Sequence, residues 1–440
     1  MRIKSISVKN LFGVFNHDIP MHLDEHITII HGPNGFGKTV LLRMLDGLFN
    51  SRYGEFRSIP FAEFRLQFDD ESEVWVSKVG EAPKGQVRKR NNTVKPVFNC
   101  SRPGENIFVF PLPESRLDVK FPLSMVEQVI PDLERIGREQ WRDTATGDVF
   151  SLDEILDRYS NELPIQTLPG TNNEPLWLQE LSNSFHVRLI QTQRLTQRLT
   201  THSDKQKSIV LAVNRYSAEL SAEIRSTLAK YATLSQSLDR SFPQRLMQGP
   251  SSLLTLDQLS QKLRELEQKR LDLMKIGLLD EEKVFQGLET IDETKRSVLS
   301  IYVQDVEEKL KVFDDVAARI KLFSKIINGR FSYKSITISK ENGFTFKTSN
   351  GTPLDPSSLS SGEQHELVLL YELLFKIKSN SLVLIDEPEL SLHIAWQEQF
   401  LRDLQQITQL SNFDVLISTH SPQIINDRWD LTVELKRPAQ

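Results

Sequence analysis

Eight residues near the amino terminus constrain this chain more than any other stretch. Gly32-Pro33-Asn34-Gly35-Phe36-Gly37-Lys38-Thr39 matches G-x-x-x-x-G-K-[ST] at every position. Such a loop works between a buried strand and the first turn of a helix, and the flanking residues predict both. Ile27, Ile29 and Ile30 form a short β-branched run, as a buried strand would. From Lys38 onward, Leu41, Leu42, Leu45, Leu48 and Phe49 fall on one helical face. The glycines let backbone N–H groups turn inward and cradle phosphates at the helix amino terminus. Lys38 can then reach the β- and γ-phosphates of a nucleotide, and the Thr39 hydroxyl can hold Mg²⁺. Gly32, Asn34, Gly35, Gly37, Lys38 and Thr39 are therefore candidate nucleotide-binding residues, and the fold they require is α/β.

A complementary segment lies far downstream. The apolar run Leu382-Val383-Leu384-Ile385 ends in Asp386 and Glu387. Ligands of open α/β sheets bind at the carboxyl ends of the strands, where these carboxylates fall. Asp386 is the expected Mg²⁺ ligand, and Glu387 the expected general base towards water. Before them, Leu359-Ser360-Ser361-Gly362-Glu363-Gln364 opens a helix through Leu367, Leu370, Leu373 and Leu374. After them, Val415–Ser418 predicts another buried strand, followed by His420.

Between these ends the pattern changes. Ile3, Ile6 and Val8 predict a half-buried strand, and residues 61–80 predict two antiparallel strands with Asp69–Ser72 as the turn. Residues 84–96 are basic and read as a solvated loop or as a phosphate-contacting patch. Leu299, Val303, Val306, Leu310, Phe313, Ala317, Ile320, Ser324 and Ile327 alternate spacings of four and three, a sustained heptad seam. Leu259, Leu263, Leu266, Arg270 and Leu273 repeat it, and Gly277 can turn the chain between the two. Residues 204–240 are also helical in character, with interruptions expected at Pro243 and Pro250. The division that follows is 1–200 and 329–440 as two parts of one α/β unit, with 201–328 as an inserted arm of two or three antiparallel helices. An ordinary helical bundle packed on the core is the alternative. Ser335–Ser339 and Phe344–Thr348 flank Glu341-Asn342-Gly343 as a hairpin.

Composition narrows the partners. Lys and Arg total 54 against 59 Asp and Glu, a formal charge of −5, which excludes a uniformly basic nucleic-acid-coating protein but not a local basic groove. A single cysteine, Cys100, excludes an intramolecular disulfide and a cysteine-rich zinc site. No run approaches the ~18 apolar residues of a membrane helix, and the first residues lack a signal-peptide core. The expectation is a cytoplasmic protein with no membrane partner.

Taken together, the motifs resemble those of ABC-type ATPases of the SMC, Rad50 and RecF branch. The resemblance covers about residues 1–50 and 330–425. It implies an ATPase head assembled from both chain ends, with ATP and Mg²⁺ as ligands. Asp386-Glu387-Pro388-Glu389-Leu390-Ser391-Leu392-His393 resembles the Walker B and D-loop run of this branch. Transporter ATPases usually carry Asp where His393 stands. The His ending resembles the overcoming-lysogenization-defect and related bacterial defence ATPases, and the layout is similar to the Septu and PARIS ATPase subunits. By the same resemblance, Ser360 and Gly362 close over the γ-phosphate of ATP held by a second subunit, and His420 is the switch histidine. A metal-water glutamine is implied after Val187–Ile190: Gln193, with Gln191 as competitor and Gln197, in the second copy of the repeated Thr-Gln-Arg-Leu, as a remote third. Phe12 and Phe15 are candidates to stack on adenine, or core residues.

The family reading implies a head-to-tail homodimer or higher oligomer. No acidic Toprim-like set or HNH motif is evident, so the expected partner is a separate effector, such as an HNH or Toprim nuclease, in bacterial anti-phage defence. Two other functions fit the motifs: a RecF-like DNA repair ATPase, with nucleic acid a possible partner, and a nucleotide-gated scaffold that does not hydrolyse.

Overall fold

The structure is a computed structural model and describes residues 1–78, 95–112, 123–130, 133–143, 149–152, 155, 174–190, 196–198, 209–250, 253–280, 293–390 and 392–436. The basic stretch 84–94 and Gln191 and Gln193 lie outside them. The chain divides into two compact units. The first comprises Met1–Thr192, Ile377–Leu390 and Gln397–Gln440; the second comprises Gln193–Lys376 and Ser391–Trp396.

The first unit contains a five-stranded sheet in the order His186–Ile190, Ser381–Asp386, Asp414–Thr419, Ile27–His31, Thr432–Glu434. Every neighbouring pair is parallel. Parallel pairing requires long crossovers, so strands from both chain ends can interleave. Ile27, Ile29, Ile30, Leu382–Ile385 and Val415–Ile417 are fully buried, as the continuous apolar runs of a two-sided parallel sheet should be. Asp414, at the start of its strand, accepts hydrogen bonds from Arg2 Nε (2.8 Å) and pairs with His26 Nδ1 (2.9 Å), tying the amino terminus to a strand 412 residues away.

Beside it is a six-stranded sheet: Phe15–Pro20, Ile3–Leu11, Glu63–Phe68, Glu73–Lys78, Pro96–Ser101, Phe108–Pro111, all antiparallel. The expected strands within 61–80 are these third and fourth ones. Ile6, Val8, Phe64, Leu66, Val74, Val76 and Phe98 share one apolar core with Leu41, Leu45 and Phe49 of the helix Lys38–Phe49. Alternation thus buries one face of the sheet on the helix that follows the glycine loop.

The second unit is helical around a hairpin. Its long helices are Ala212–Gln248, Leu256–Lys275, Arg296–Lys311 and Asp314–Arg330, and the shorter Ser361–Tyr371 follows the hairpin. The long heptad seam spans the last two of the long helices. Val312 and Phe313, between them, keep right-handed helical dihedrals, so the seam carries on through the break. Val303, Val306, Leu310, Phe313, Ala317, Ile320 and Ile327 are buried, whereas Ser324 is half-buried and Phe323 takes the core position.

Two features differ from the sequence expectation. The first helix runs through Pro243 to Gln248. Pro243 is exposed near the helix end, and Arg245 Nη2 (2.8 Å) and Ser241 Oγ (3.1 Å) both donate to the Leu238 carbonyl there. Side-chain donors thus support the turn that proline weakens. Second, the helices do not simply alternate in direction. Arg245 meets Asp305, Lys309 meets Asp239 and Tyr231 meets Phe313, so the first helix runs against the seam. Leu254 meets Arg296, Lys262 meets Glu307, Lys269 meets Asp314 and Asp272 meets Lys321, so Leu256–Lys275 runs with it. An apolar seam specifies a face, and these charge pairs accompany the direction.

The hairpin Lys334–Ser339 and Gly343–Thr348 packs on the first helix. Ser217 Oγ donates to Asn342 O (2.6 Å) and accepts from Phe344 N (3.0 Å), and Ser221 Oγ donates to Lys340 O (2.7 Å). Gly343 has φ +66°, and a Cβ there would stand 1.8 Å from Ser217 O. No helix among the described residues is long and apolar enough to cross a membrane. Gly343→Ala should cost about 2–4 kcal/mol, from left-handed strain plus overpacking against backbone. Chemical denaturation checks this, and unchanged stability would contradict the packing.

Candidate functional site

The residues singled out near the two chain ends of the first unit meet at one edge of its parallel sheet. Register pairs Ile190 with Ile385, Asp386 with Ser418, and Thr419 with His31, so the strands end together. The glycine loop leaves from His31. Gly37 caps the following helix in the left-handed region (φ +86°), and a Cβ there would lie 2.5 Å from Leu11 Cδ2. Only glycine meets both demands. No side chain among the described residues caps this helix, so its first-turn N–H groups suit a ligand. Asn34 and Gly35 are exposed, and Gly32 and Thr39 are half-buried.

Lys38 is 5% exposed. Its ammonium donates to Gly32 O (2.8 Å) and Pro33 O (3.1 Å), inside the loop it belongs to. Burial lowers its pKa, and Glu387, Asp386 and Glu389 pull it back up. The positive charge is thus placed among carbonyls and carboxylates.

Asp386 ends its strand. Burial pushes its carboxyl above the ordinary range, opposed by a hydrogen bond with the Thr39 hydroxyl. Its Oδ1 is buried with no hydrogen-bond partner among the described residues. A buried carboxylate oxygen without a donor is costly unless a cation completes it. With the Thr39 hydroxyl beside it, this all-oxygen set fits Mg²⁺.

Glu387 turns the chain away from the sheet at φ +45°, an uncommon conformation for a residue with a side chain. Its N–H donates to Ser418 O (2.8 Å), which holds the turn. Its carboxylate stands 3.9 Å from His420 Nε2, with both side chains about one-third exposed. Burial raises the Glu387 pKa, and Asp386 and Glu389 raise it further. A carboxylate so poised is a better proton acceptor than a free one.

The sequence reading missed three contributors. Glu389 accepts hydrogen bonds from His420 N (2.8 Å) and Thr419 Oγ1 (2.9 Å). Gln397 reaches the same loop through Ser421 Oγ (3.0 Å). Thr432–Glu434 adds the fifth strand, and Leu435 N donates to His31 O (2.9 Å) at the root of the glycine loop. The Glu-Pro-Glu spacing was a visible signal for the first. Phe15 packs on Phe36 at 4.9 Å, whereas Phe12 is exposed and its ring lies 3.3 Å from the position of a Gly37 Cβ.

Ser360 and Gly362 lie in the second unit. Ser360 caps the helix Ser361–Tyr371 in a capping box with Glu363, and is exposed. Lys334 holds Glu363 (2.7 Å), and Gln364 Nε2 anchors the preceding loop through Leu359 O (2.8 Å). A Cβ on Gly362 would meet no heavy atom within 4 Å. The motif thus keeps Ser360 and Gly362 at an open helix start, with Glu363 and Gln364 as its framework. Gln197 lies on Thr196–Arg198, a strand paired with Ile209–Leu211.

Asp386→Asn tests the buried charge. Since the folded pKa is raised, the native state holds the proton more tightly than the unfolded chain between the ordinary carboxylate range and the raised value. That stability is present at low pH and is lost as pH rises through this window. Without nucleotide or divalent cation, the Asn variant should melt roughly 2 °C above wild type near neutral pH, the gap closing towards pH ~4. A variant that melts lower at both pH values would contradict this origin of the shift.

Among solved structures, an Smc head domain with an extended coiled coil, bound to the C-terminal domain of ScpA, from Pyrococcus furiosus is 12% identical. It covers 100% of this chain and 94% of its own, with a TM-score of 0.32. The SMC head domain from Thermotoga maritima is 11% identical over 97% of this chain and 91% of its own (TM-score 0.33). An SmcHead bound to the C-winged helix domain of ScpA is 10% identical over 100% and 95% (TM-score 0.35). A family model described as AAA ATPase domain matches residues 1–425, and the chain belongs to that family of ATPases.

Proposed function

We propose that this chain hydrolyses ATP to ADP and phosphate at a site completed by a second copy of itself, and that its output is the closing and opening of that pair. The observation that carries the reading is the convergence of Lys38, Asp386, Glu387 and His420 at one sheet edge, with the Asp386 carboxylate incompletely paired. In this reading Gly32, Asn34, Gly35 and Gly37 supply backbone donors and conformational freedom to the phosphates, and Lys38 supplies the charge. Thr39 and Asp386 hold Mg²⁺, with Gln193 as the further metal-water ligand. Mg²⁺, when bound, neutralises phosphate charge. Glu387 takes the proton of the attacking water, and His420 contacts the γ-phosphate. Phe12, exposed beside the loop, is the better placed of the two aromatic candidates for adenine.

Ser360 and Gly362 contact the nucleotide of the other copy. Their accessibility supports this: Ser360 is exposed at the helix start, and a Cβ on Gly362 would meet no heavy atom within 4 Å. Closure is then worth only the differential affinity of the closed pair for ATP over ADP. The placement within the SMC, Rad50 and RecF branch rests on the motifs and their order. The Asp386–His393 run further supports a defence ATPase subunit that controls a separate effector, a nuclease of HNH or Toprim type. Co-purification of such a nuclease encoded beside this chain would support that assignment, and partnership with recombination proteins would favour the repair reading.

Glu387→Gln leaves the phosphate cradle and metal ligands in place and removes the base. Turnover should fall by about 10²–10⁴-fold while ATP binding stays within a few-fold of wild type. Steady-state kinetics with equilibrium nucleotide binding checks this, and near-normal turnover would remove Glu387 from the role.

A further inference from the structure

We propose that Glu389 is a positioning residue for His420 and that, with Gln397, it forms a hydrogen-bonded clamp between the turn after Asp386-Glu387 and the His420 loop. The proposal rests on the ATP-hydrolysis reading and deepens it by naming a residue that acts through another.

The clamp is a closed circuit. Glu389 Oε2 accepts from Thr419 Oγ1 (2.9 Å), which in turn accepts from Ser421 N (3.0 Å). Ser421 Oγ donates to Gln397 Oε1 (3.0 Å), and Gln397 Nε2 donates to Glu389 O (3.3 Å). Within this circuit Glu389 Oε1 accepts the His420 N–H at 2.8 Å. Thr419 and Gln397 are buried, which fixes two corners of the circuit, while the His420 end is open to solvent. Two glutamate oxygens accept from the two residues that carry the loop, and the imidazole is left at 3.9 Å from Glu387.

The observed directions suit a carboxylate. Thr419 Oγ1 accepts a backbone N–H and gives its proton to Glu389. An amide offers one acceptor oxygen, so with that oxygen on the His420 N–H its NH₂ faces the Thr419 hydroxyl, whose proton must turn away. Glutamine at 389 therefore keeps the shape but reverses one arm, and replaces a charge-assisted bond to His420 N–H with a neutral, weaker one. Gln397 lies beyond the D-loop run, so the clamp also links the start of the helix Ile394–Ser411 to the His420 loop.

The test is a double-mutant cycle on the full chain. Turnover and KM for ATP are measured for wild type, Glu389→Gln, His420→Ala and the double variant, with Glu389→Ala as a second truncation and melting temperature as the folding control. Glu389→Gln should lower kcat roughly tenfold with KM within about threefold, and change kcat less than about twofold in the His420→Ala background. Equal losses in both backgrounds would show that Glu389 acts independently of His420 and overturn the proposal, as would unchanged kcat or a rise in KM alone. Amide hydrogen exchange provides a readout independent of turnover. At Thr419–Ser421 it should accelerate at least about tenfold in Glu389→Gln while Ile27–Ile30 stays as in wild type. Unchanged exchange there would remove the clamp. Absence of turnover in wild type would instead sink the hydrolysis reading and the catalytic role of the clamp, while exchange would still decide its existence.

Discussion

The parallel pairing of Ile27–His31 with Asp414–Thr419 is the constraint on which the site depends. It joins the strand that feeds the glycine loop to the strand that ends before His420. Without it, Lys38 and Asp386 would belong to unrelated parts of the chain. The pairing is secured at its amino end by Asp414 with Arg2 and His26, and the fifth strand, Thr432–Glu434, closes the other side of Ile27–His31. With aliphatic residues buried on both faces, register is held by the polar ends of the strands, Asp414 with Arg2 and His26 at one and Glu387 N with Ser418 O at the other.

Electrostatics then sets the character of the edge. Asp386, Glu387 and Glu389 act on Lys38, and burial raises the first two carboxyls while lowering the ammonium. Each shift disfavours the charged form that nucleotide chemistry uses, an electrostatic cost carried by these side chains. A nucleotide with its cation would relieve it, supplying positive charge to Asp386 and negative charge to Lys38. Glu389 differs from its neighbours in that both oxygens are already committed to the His420 loop.

Local motifs were legible in the sequence because their causes are local. The glycine loop requires left-handed backbone at Gly37, and the capping box in Ser360–Glu363 requires only four residues. Buried strands showed themselves as aliphatic runs. Long-range contacts were not legible. Glu389 reads as part of an acidic run until Thr419 and His420 are brought beside it. Thr432-Val433-Glu434 carries too little apolar pattern to announce a strand. Heptad spacing gave the buried face of the helices but not that Leu256–Lys275 runs parallel to the seam. Pro243 alone predicts a break, because the support from Arg245 and Ser241 is invisible in composition. The repeated Thr-Gln-Arg-Leu left the choice among Gln191, Gln193 and Gln197 open.

The central claim is that two copies share each ATP, Lys38 from one and Ser360 from the other. Mixing two inactive variants measures this directly. Lys38→Ala removes the cation from both sites of a homodimer, and Ser360→Arg obstructs both closures. A mixed pair collects both changes in one site and leaves the other intact. ATP turnover, followed against mixing ratio after subunit exchange, should rise from the background of either variant alone to a maximum near equal proportions. Turnover that stays at background while crosslinking confirms mixed pairs would contradict a site divided in this way.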